Sequence, residues 1–363
     1  MNILHLVPAL EAGGVETGTV DLALSLKKSG ETVIVVSSGG KLVRDLENNG
    51  ISHIKLPINR KSLFTLFLIP RIISLIKINR IDVVHASSRV PAWVGFFACK
   101  CTNIPFVTSC HGFYSKNIFS YIMGRGDRVM VISKAIEKRM TEGFRVPARK
   151  IRLVYRGLDL TKYSYCADKY ENSAKNAYVV INIGRLTPVK GQYEFIKAMK
   201  RVTDKVKNTE AWIAGNPERN NKSYLHKLKN LAEKLGIEGS IKFLGHRDDV
   251  YDLLKKADCL VLSTVIPEGF GRVLIEAGAA GTACCASNTG GIKEIIEDNV
   301  TGLLFPPGDE AGMADTIIKM LGNPRLCGQY AKNLRKRVEE YFNLEQMAQK
   351  TLAVYKEVAK NNV

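Results

Sequence analysis

Short apolar runs alternate with helical patterns along this chain, and the alternation stops and restarts once. In the first half, the runs at 2–7, 32–37, 53–56, 82–85, 104–109 and 128–132 read as strands. Helical periodicity lies between them, as at 15–29 and 63–79. The pattern resumes at 178–183 and continues near 211–214, 240–244, 259–262 and 282–286. Strands that alternate with helices pair in parallel, and a parallel sheet is covered on both faces. Two such blocks predict an α/β chain of two doubly wound domains. At 363 residues, each block has enough chain for its own core. The boundary is expected within 158–177, a polar, tyrosine-rich stretch that contains Asn172-Ser173-Ala174-Lys175-Asn176 and has no clear periodicity. A last helical run covers 343–360.

In open parallel sheets, ligands bind beyond the carboxyl ends of the strands. The polar motifs of this chain lie just after predicted strands, so they are expected to face one shared cleft. The most informative is Glu268-Gly-Phe-Gly-Arg-Val-Leu-Ile-Glu276, between the apolar run 258–263 and the helical run 272–280. Glu268 is placed in a loop that opens a helix, and Glu276 about two turns inside it. The glycines admit close backbone approach, and the open N–H groups of a helix start attract anions. One carboxylate can then read sugar hydroxyls and the other a ribose diol, which is the set of contacts a nucleotide-sugar needs.

This segment resembles the signature of retaining glycosyltransferases of the GT-B fold, specifically glycosyltransferase family 4. The likeness continues in order along most of the chain: Gly13-Gly14-Val15-Glu16, Cys110-His111-Gly112, Ile183-Gly184-Arg185-Leu186 with Lys190-Gly191, and Phe243-Leu244-Gly245-His246. After the paired glutamates come Gly290-Gly291 with Glu294, then Gly302-Leu303-Leu304 and Pro306-Pro307-Gly308-Asp309. The resemblance implies two Rossmann-like domains: 1–165 for the acceptor and 166–342 for the donor, with 343–363 packing back on the first. It places Arg185 and Lys190 on the donor diphosphate, Glu268 on donor-sugar hydroxyls, and Glu276 on the ribose. The backbone of Gly269, Phe270, Gly271, Val273 and Leu274 would meet sugar and phosphates. Gly14 would close over the diphosphate or the acceptor, and His111 would contact the donor sugar near the reacting centre. Around Gly281 the family often has Gly-x-Pro; Ala283 departs from this, a matter of packing more than catalysis.

Other readings of the same residues stay open. Arg185 and Lys190 also read as solvated surface cations, Glu276 as an i, i+4 partner of Arg272, and Glu16 as a first-turn helix residue. A histidine after a strand is often structural. Glycines 245, 290 and 291 read as backbone turns. The chain has no Asp-x-Asp triad, so no metal and no cofactor are expected, and cations with a helix N-terminus must neutralise the departing diphosphate. The resemblance implies retention of anomeric configuration by front-face attack. A double displacement needs a carboxylate nucleophile, and none stands out.

The charge is uneven. Residues 1–170 carry 25 Lys/Arg against 12 Asp/Glu, and residues 171–363 carry 28 against 23. The basic half should seek anionic surfaces. Segment 60–80 mixes bulky apolar residues with Arg60, Lys61, Arg71, Lys77 and Arg80, and reads either as a core-facing helix or as a membrane-interface segment. Ser88–Trp93 and Phe113–Arg128 are candidate acceptor-site walls. No apolar stretch reaches the ~18 residues of a membrane span, and the first residues read as a strand, not a leader. The eight cysteines lack zinc spacing and fit reduced cytoplasmic thiols.

The reading is a cytoplasmic enzyme, peripheral to the inner membrane, that moves a sugar from a UDP- or GDP-sugar to a glycolipid or a polysaccharide/lipopolysaccharide precursor. The partners are the donor, a glycan or glycolipid acceptor and an anionic membrane surface, with no nucleic acid. A nucleotide-sugar epimerase or a basic nucleic-acid-binding protein is the alternative, though no aromatic-basic stacking platform is evident.

Overall fold

The computed structural model describes residues 1–360 except Ala12, Lys61, 171–176 and 218–221. The expected boundary stretch Asn172–Asn176, and Lys61 of the basic segment, therefore lie outside the described residues. Among those described, thirteen strands form two sheets, every pairing parallel. The first sheet holds β1 (Asn2–Leu6), β2 (Thr32–Ser37), β3 (Ser52–Lys55), β4 (Val83–Ala86), β5 (Phe106–Cys110), β6 (Arg128–Val131) and β7 (Ile151–Leu153). Its order is β3-β2-β1-β4-β5-β6-β7. The second holds β8 (Tyr178–Ile183), β9 (Thr209–Ala214), β10 (Ile241–Gly245), β11 (Cys259–Leu262), β12 (Ala283–Ser287) and β13 (Leu303–Phe305), in the order β10-β9-β8-β11-β12-β13.

These are two Rossmann-like α/β units, the class the alternation predicts. The chain divides into Met1–Asp159 with Phe342–Val363, and Leu160–Tyr341. All eleven expected strands form within two residues of their predicted ends. β7 and β13 went unread because three residues are too few to show a period.

The central strands are largely apolar because both faces of each sheet are covered there. All of β4, β5, β11 and β12 is buried. The helix Ile69–Ile78 bears on the core-facing reading of segment 60–80. It buries Ile72, Leu75 and Ile76, yet Ile78 and the preceding Phe64 and Phe67 are about three-quarters exposed.

The last helix, Leu344–Lys360, sinks Met347, Ala348, Val354, Tyr355 and Val358 into the core of the first unit. The backbone joins it there, with Leu158 N–H donating to Phe342 O at 2.9 Å and Leu344 N–H to Leu158 O at 2.8 Å. At the helix end, Glu357 accepts from Arg128 Nε at 2.9 Å and Arg152 Nε at 2.9 Å, two arginines on β6 and β7. All eight cysteines are free thiols. Among the described residues, no helix is long and apolar enough to cross a membrane.

The hydrogen bonds from Arg152 and then Arg128 hold the Glu357 carboxyl down from 4.5 to about 2. A depressed carboxylate stabilises fully above its ordinary range and loses that contribution as pH falls toward the folded value. With the side chain a third exposed, solvent screening discounts the pair to about 1 kcal/mol. Glu357→Gln should therefore cost about 1 kcal/mol at neutral pH, and the gap to the parent should close as pH drops from 4.5 toward 2. Urea unfolding followed through Trp93 in a Trp212→Phe background measures both; a gap independent of pH would refute the assignment.

Candidate active site

Where strand order reverses, neighbouring strands send their connections to opposite faces, and the carboxyl ends part to leave a crevice. In the second sheet that point lies between β8 and β11. The loop after β8 carries Arg185 and the short turn Pro188–Lys190, and the loop after β11 carries Glu268. Lys190 Nζ and the Glu268 carboxylate form an ion pair across it, both side chains partly exposed.

Local bonds hold the two loops together. Buried Asn182, on β8, donates through Nδ2 to Val261 O and Ser263 Oγ, each at 2.9 Å. Ser263 Oγ donates to Lys190 O at 2.9 Å, and Thr264 Oγ1 to Val189 O at 2.8 Å. Gly191 has φ +69°, and a Cβ there would lie 1.9 Å from Ser263 O. So the residue after Lys190 must be glycine for the loops to close. Gly290, in the loop after β12, does the same from the other side: at φ +57°, its Cβ would lie 2.1 Å from Glu268 O. Gly291 N–H also donates to Glu268 O at 2.8 Å. The glycines read as plain turns thus brace the Glu268 backbone.

Arg185 opens the first loop and is exposed, with Gln192 Nε2 donating to its carbonyl at 3.0 Å. The helix Arg272–Ala280 begins after Gly271, placing its open N–H groups beside Gly269–Gly271. Phe270 and Leu274 have buried side chains, Gly269 and Gly271 are also buried, and Val273 is half-buried. Glu276 is the fifth residue of this helix, one turn in instead of the two expected. Its Oε1 accepts from Arg272 Nε at 2.8 Å, the i, i+4 pair weighed above.

The first unit gathers a second set of residues. His5 on β1 and His85 on β4 are register partners, with rings stacked at 4.2 Å between centroids. His5 Nε2 bonds Ser87 Oγ at 2.7 Å. His85 bonds Ser109 Oγ at 2.5 Å and Tyr355 OH at 2.7 Å. Beside them, directly after β5, His111 Nδ1 lies 2.9 Å from Nη2 of Arg156, and Arg156 Nη1 donates to Gly14 O at 2.5 Å. Gly14 is the first residue of the helix Gly14–Lys28. His5, Thr19, His85, Ser87, His111 and Arg156 help line a cavity of about 40 Å³. Burial pushes all three imidazoles well down, His5 to about 3. His85 lowers further beside His5 and His111, and His111 beside the Arg156 cation and His5.

The structure therefore brings Lys190 and Glu268 together, sets Arg185 in the same loop, and ties His111 to Gly14 through Arg156. Arg156, Asn182, Ser263 and the histidines at 5 and 85 were not singled out from the sequence, and Arg272 was read only as the partner of Glu276. Arg156 had a signal: a cation following the short run Leu153-Val154-Tyr155, directly before Gly157. His5 and His85 had none, because register appears only once strands are paired.

Two Rossmann-like units with cations and carboxylates at parallel-strand ends define the class of GT-B glycosyltransferases. The chain belongs to this family of enzymes: residues 12–162 match the model described as Glycosyltransferase Family 4, and residues 167–337 match Glycosyl transferases group 1. It is similar to an uncharacterized glycosyltransferase of Methanocaldococcus jannaschii, 26% identical over 96% of this chain and 95% of that one. A solved glycosyltransferase from Rickettsia africae is 28% identical at a TM-score of 0.88, covering 99% of each chain. The Anabaena protein HepE, solved in complex with UDP, shares the fold at a TM-score of 0.86 and 24% identity over 98% of this chain and 100% of that one.

Gly290→Ala should lower the stability of the second unit by about 2 kcal/mol or more, since a left-handed φ and a backbone collision coincide there. Gly239→Ala, with nothing within 4 Å of its Cβ and no positive φ, is the control. Equal thermal unfolding of the two variants would show that the brace on Glu268 is not rigid.

Proposed function

We propose that the enzyme transfers a sugar, with retention, from a UDP- or GDP-sugar to a glycan or glycolipid acceptor of cell-surface polysaccharide or lipopolysaccharide assembly. One observation carries the reading: a lysine and a glutamate held together at the crevice between β8 and β11, beside a helix start. Loss of a nucleoside diphosphate builds negative charge on the leaving oxygens. Arg185 supplies a planar fork for them and Lys190 a point charge with three N–H groups. Lys190 can thus keep Glu268 in place and still donate to phosphate. Glu268 accepts from the donor-sugar hydroxyls, and Arg272 orients Glu276 toward the ribose. The backbone of Gly269–Leu274 approaches sugar and diphosphate. The diphosphate is neutralised by these cations and the helix N-terminus, so the reaction runs without metal or other cofactor. The departing phosphate takes the acceptor proton in a front-face attack, and His111 contacts the donor sugar.

Membrane contact belongs to the same reading: a cytoplasmic enzyme that reaches lipid-linked acceptors at the inner membrane. Residues 48–126 hold ten lysines and arginines against one acid, Asp82. Within this stretch, Phe64, Phe67, Ile78, Ile118 and Phe119 are all more than half exposed. Exposed apolar side chains set among cations fit an anionic bilayer surface, and the one-signed charge opposes self-association through this face.

Glu268→Ala should cut transfer by at least about a hundredfold with the fold intact. Arg185→Ala and Lys190→Ala should each weaken calorimetric UDP or GDP affinity by about tenfold, and parent activity should persist in EDTA. Normal turnover of Glu268→Ala, or full loss in EDTA restored by Mn²⁺, would overturn the site assignment or the metal-free mechanism, respectively.

The paired change Phe64→Ser/Phe67→Ser should lower co-sedimentation with phosphatidylglycerol-containing vesicles severalfold, while zwitterionic vesicles capture neither protein. Retention equal to the parent's, or tighter binding to RNA than to vesicles, would end the membrane assignment.

A further inference from the structure

We propose that Arg156 is a positioning residue that fixes His111 as a hydrogen-bond donor through Nε2 and ties that donor to the start of the helix Gly14–Lys28. The argument begins with donor inventory. A guanidinium carries N–H groups and no acceptor. His111 Nδ1 lies 2.9 Å from Arg156 Nη2, so Nδ1 must offer its lone pair. In a neutral imidazole the proton then sits on Nε2. Burial and the adjacent Arg156 cation both press the ring toward the neutral form.

Nε2 is closed off from solvent, with no hydrogen-bond partner among the described residues. A buried N–H without an acceptor is costly, and folded proteins rarely leave one. Its ring borders the cavity shared with His5, Thr19, His85 and Ser87. The other two histidines of this group spend their Nε2 atoms on Ser87 and Ser109. His111 Nε2 is the one left for an incoming oxygen, and an N–H donor selects an acceptor: a sugar hydroxyl or ring oxygen, not a second donor.

The other arm of Arg156 reaches Gly14 O at 2.5 Å. One planar group therefore sets the distance between the donor nitrogen and the glycine-opened helix start. The fork geometry matters for this. A lysine could satisfy either acceptor but would not fix their mutual orientation. Besides Arg156, His5 and His85 interact with the ring electrostatically, and the Tyr114 hydroxyl accepts from the His111 backbone N–H at 3.4 Å.

The kinetic part of this inference rests on His111 contacting the donor sugar, as proposed above; the tautomer does not. The test separates the two. The intact protein, labelled with ¹⁵N in its six histidines and free of substrate, is examined by long-range ¹H–¹⁵N correlation. His111→Gln assigns the resonance by its disappearance. In the parent, His111 should show an unprotonated Nδ1 and a protonated Nε2. In Arg156→Met the two nitrogens should move toward averaged shifts, and kcat should fall by about tenfold or more, because a wrong tautomer removes the donor. KM for the donor should change less. Arg156→Lys, which also only donates, should restore the tautomer but only part of kcat.

A protonated Nδ1 in the parent would overturn the proposal outright. So would a parent-like His111 spectrum in Arg156→Met. If that variant does not fold, the parent and Arg156→Lys spectra still decide. A correct tautomer with no effect on transfer would leave the lock standing and remove His111 from the reaction instead.

Discussion

Everything at the crevice of the second unit depends on how two parallel strands part. β8 and β11 are hydrogen-bonded neighbours, yet their chain connections leave toward opposite sides of the sheet. Between them, two loops must sit side by side without a ladder to join them. Asn182, Ser263 and Thr264 do the joining, through four short bonds to main-chain carbonyls and to each other. Gly191 lets the backbones come close enough for those bonds to form. The Lys190–Glu268 pair lies on top of this stitching. Its charged groups can therefore remain partly exposed, because their positions are set by buried polar contacts beneath them and not by their own attraction, which near solvent is weak.

The sequence disclosed the strands well and the site unevenly, for one physical reason. A covered parallel strand must be apolar along its length, so composition alone reveals it. Loop glycines such as Gly191 and Gly290 reveal that something special happens, but not what they avoid. The colliding atoms, Ser263 O and Glu268 O, lie 72 and 22 residues away in sequence. Register hides more still. His5 and His85 stack because β1 and β4 are adjacent, a pairing that skips two intervening strands. Single residues just after a strand, such as Arg156, fall between the two cases. A cation ending an apolar run is visible, but its partners are not.

The two units place their cations differently, and the difference matches the demands of each. On the function proposed above, a group that meets a diphosphate gains from facing solvent. Lys190 has three N–H groups and stays partly exposed, and Arg185 is exposed at the mouth of its loop. A group meant to orient another side chain gains from the reverse. Arg156 is only 7% exposed, and its guanidinium arms bond a ring nitrogen and a carbonyl within its own unit. In the low-dielectric interior those bonds are stronger and their geometry more rigid than at the surface. The same burial that makes an unpaired cation expensive makes a well-bonded one a precise strut. The arginine of the first unit is thus fixed by its bonds within that unit, whereas Lys190 and Arg185 of the second lie nearer to solvent.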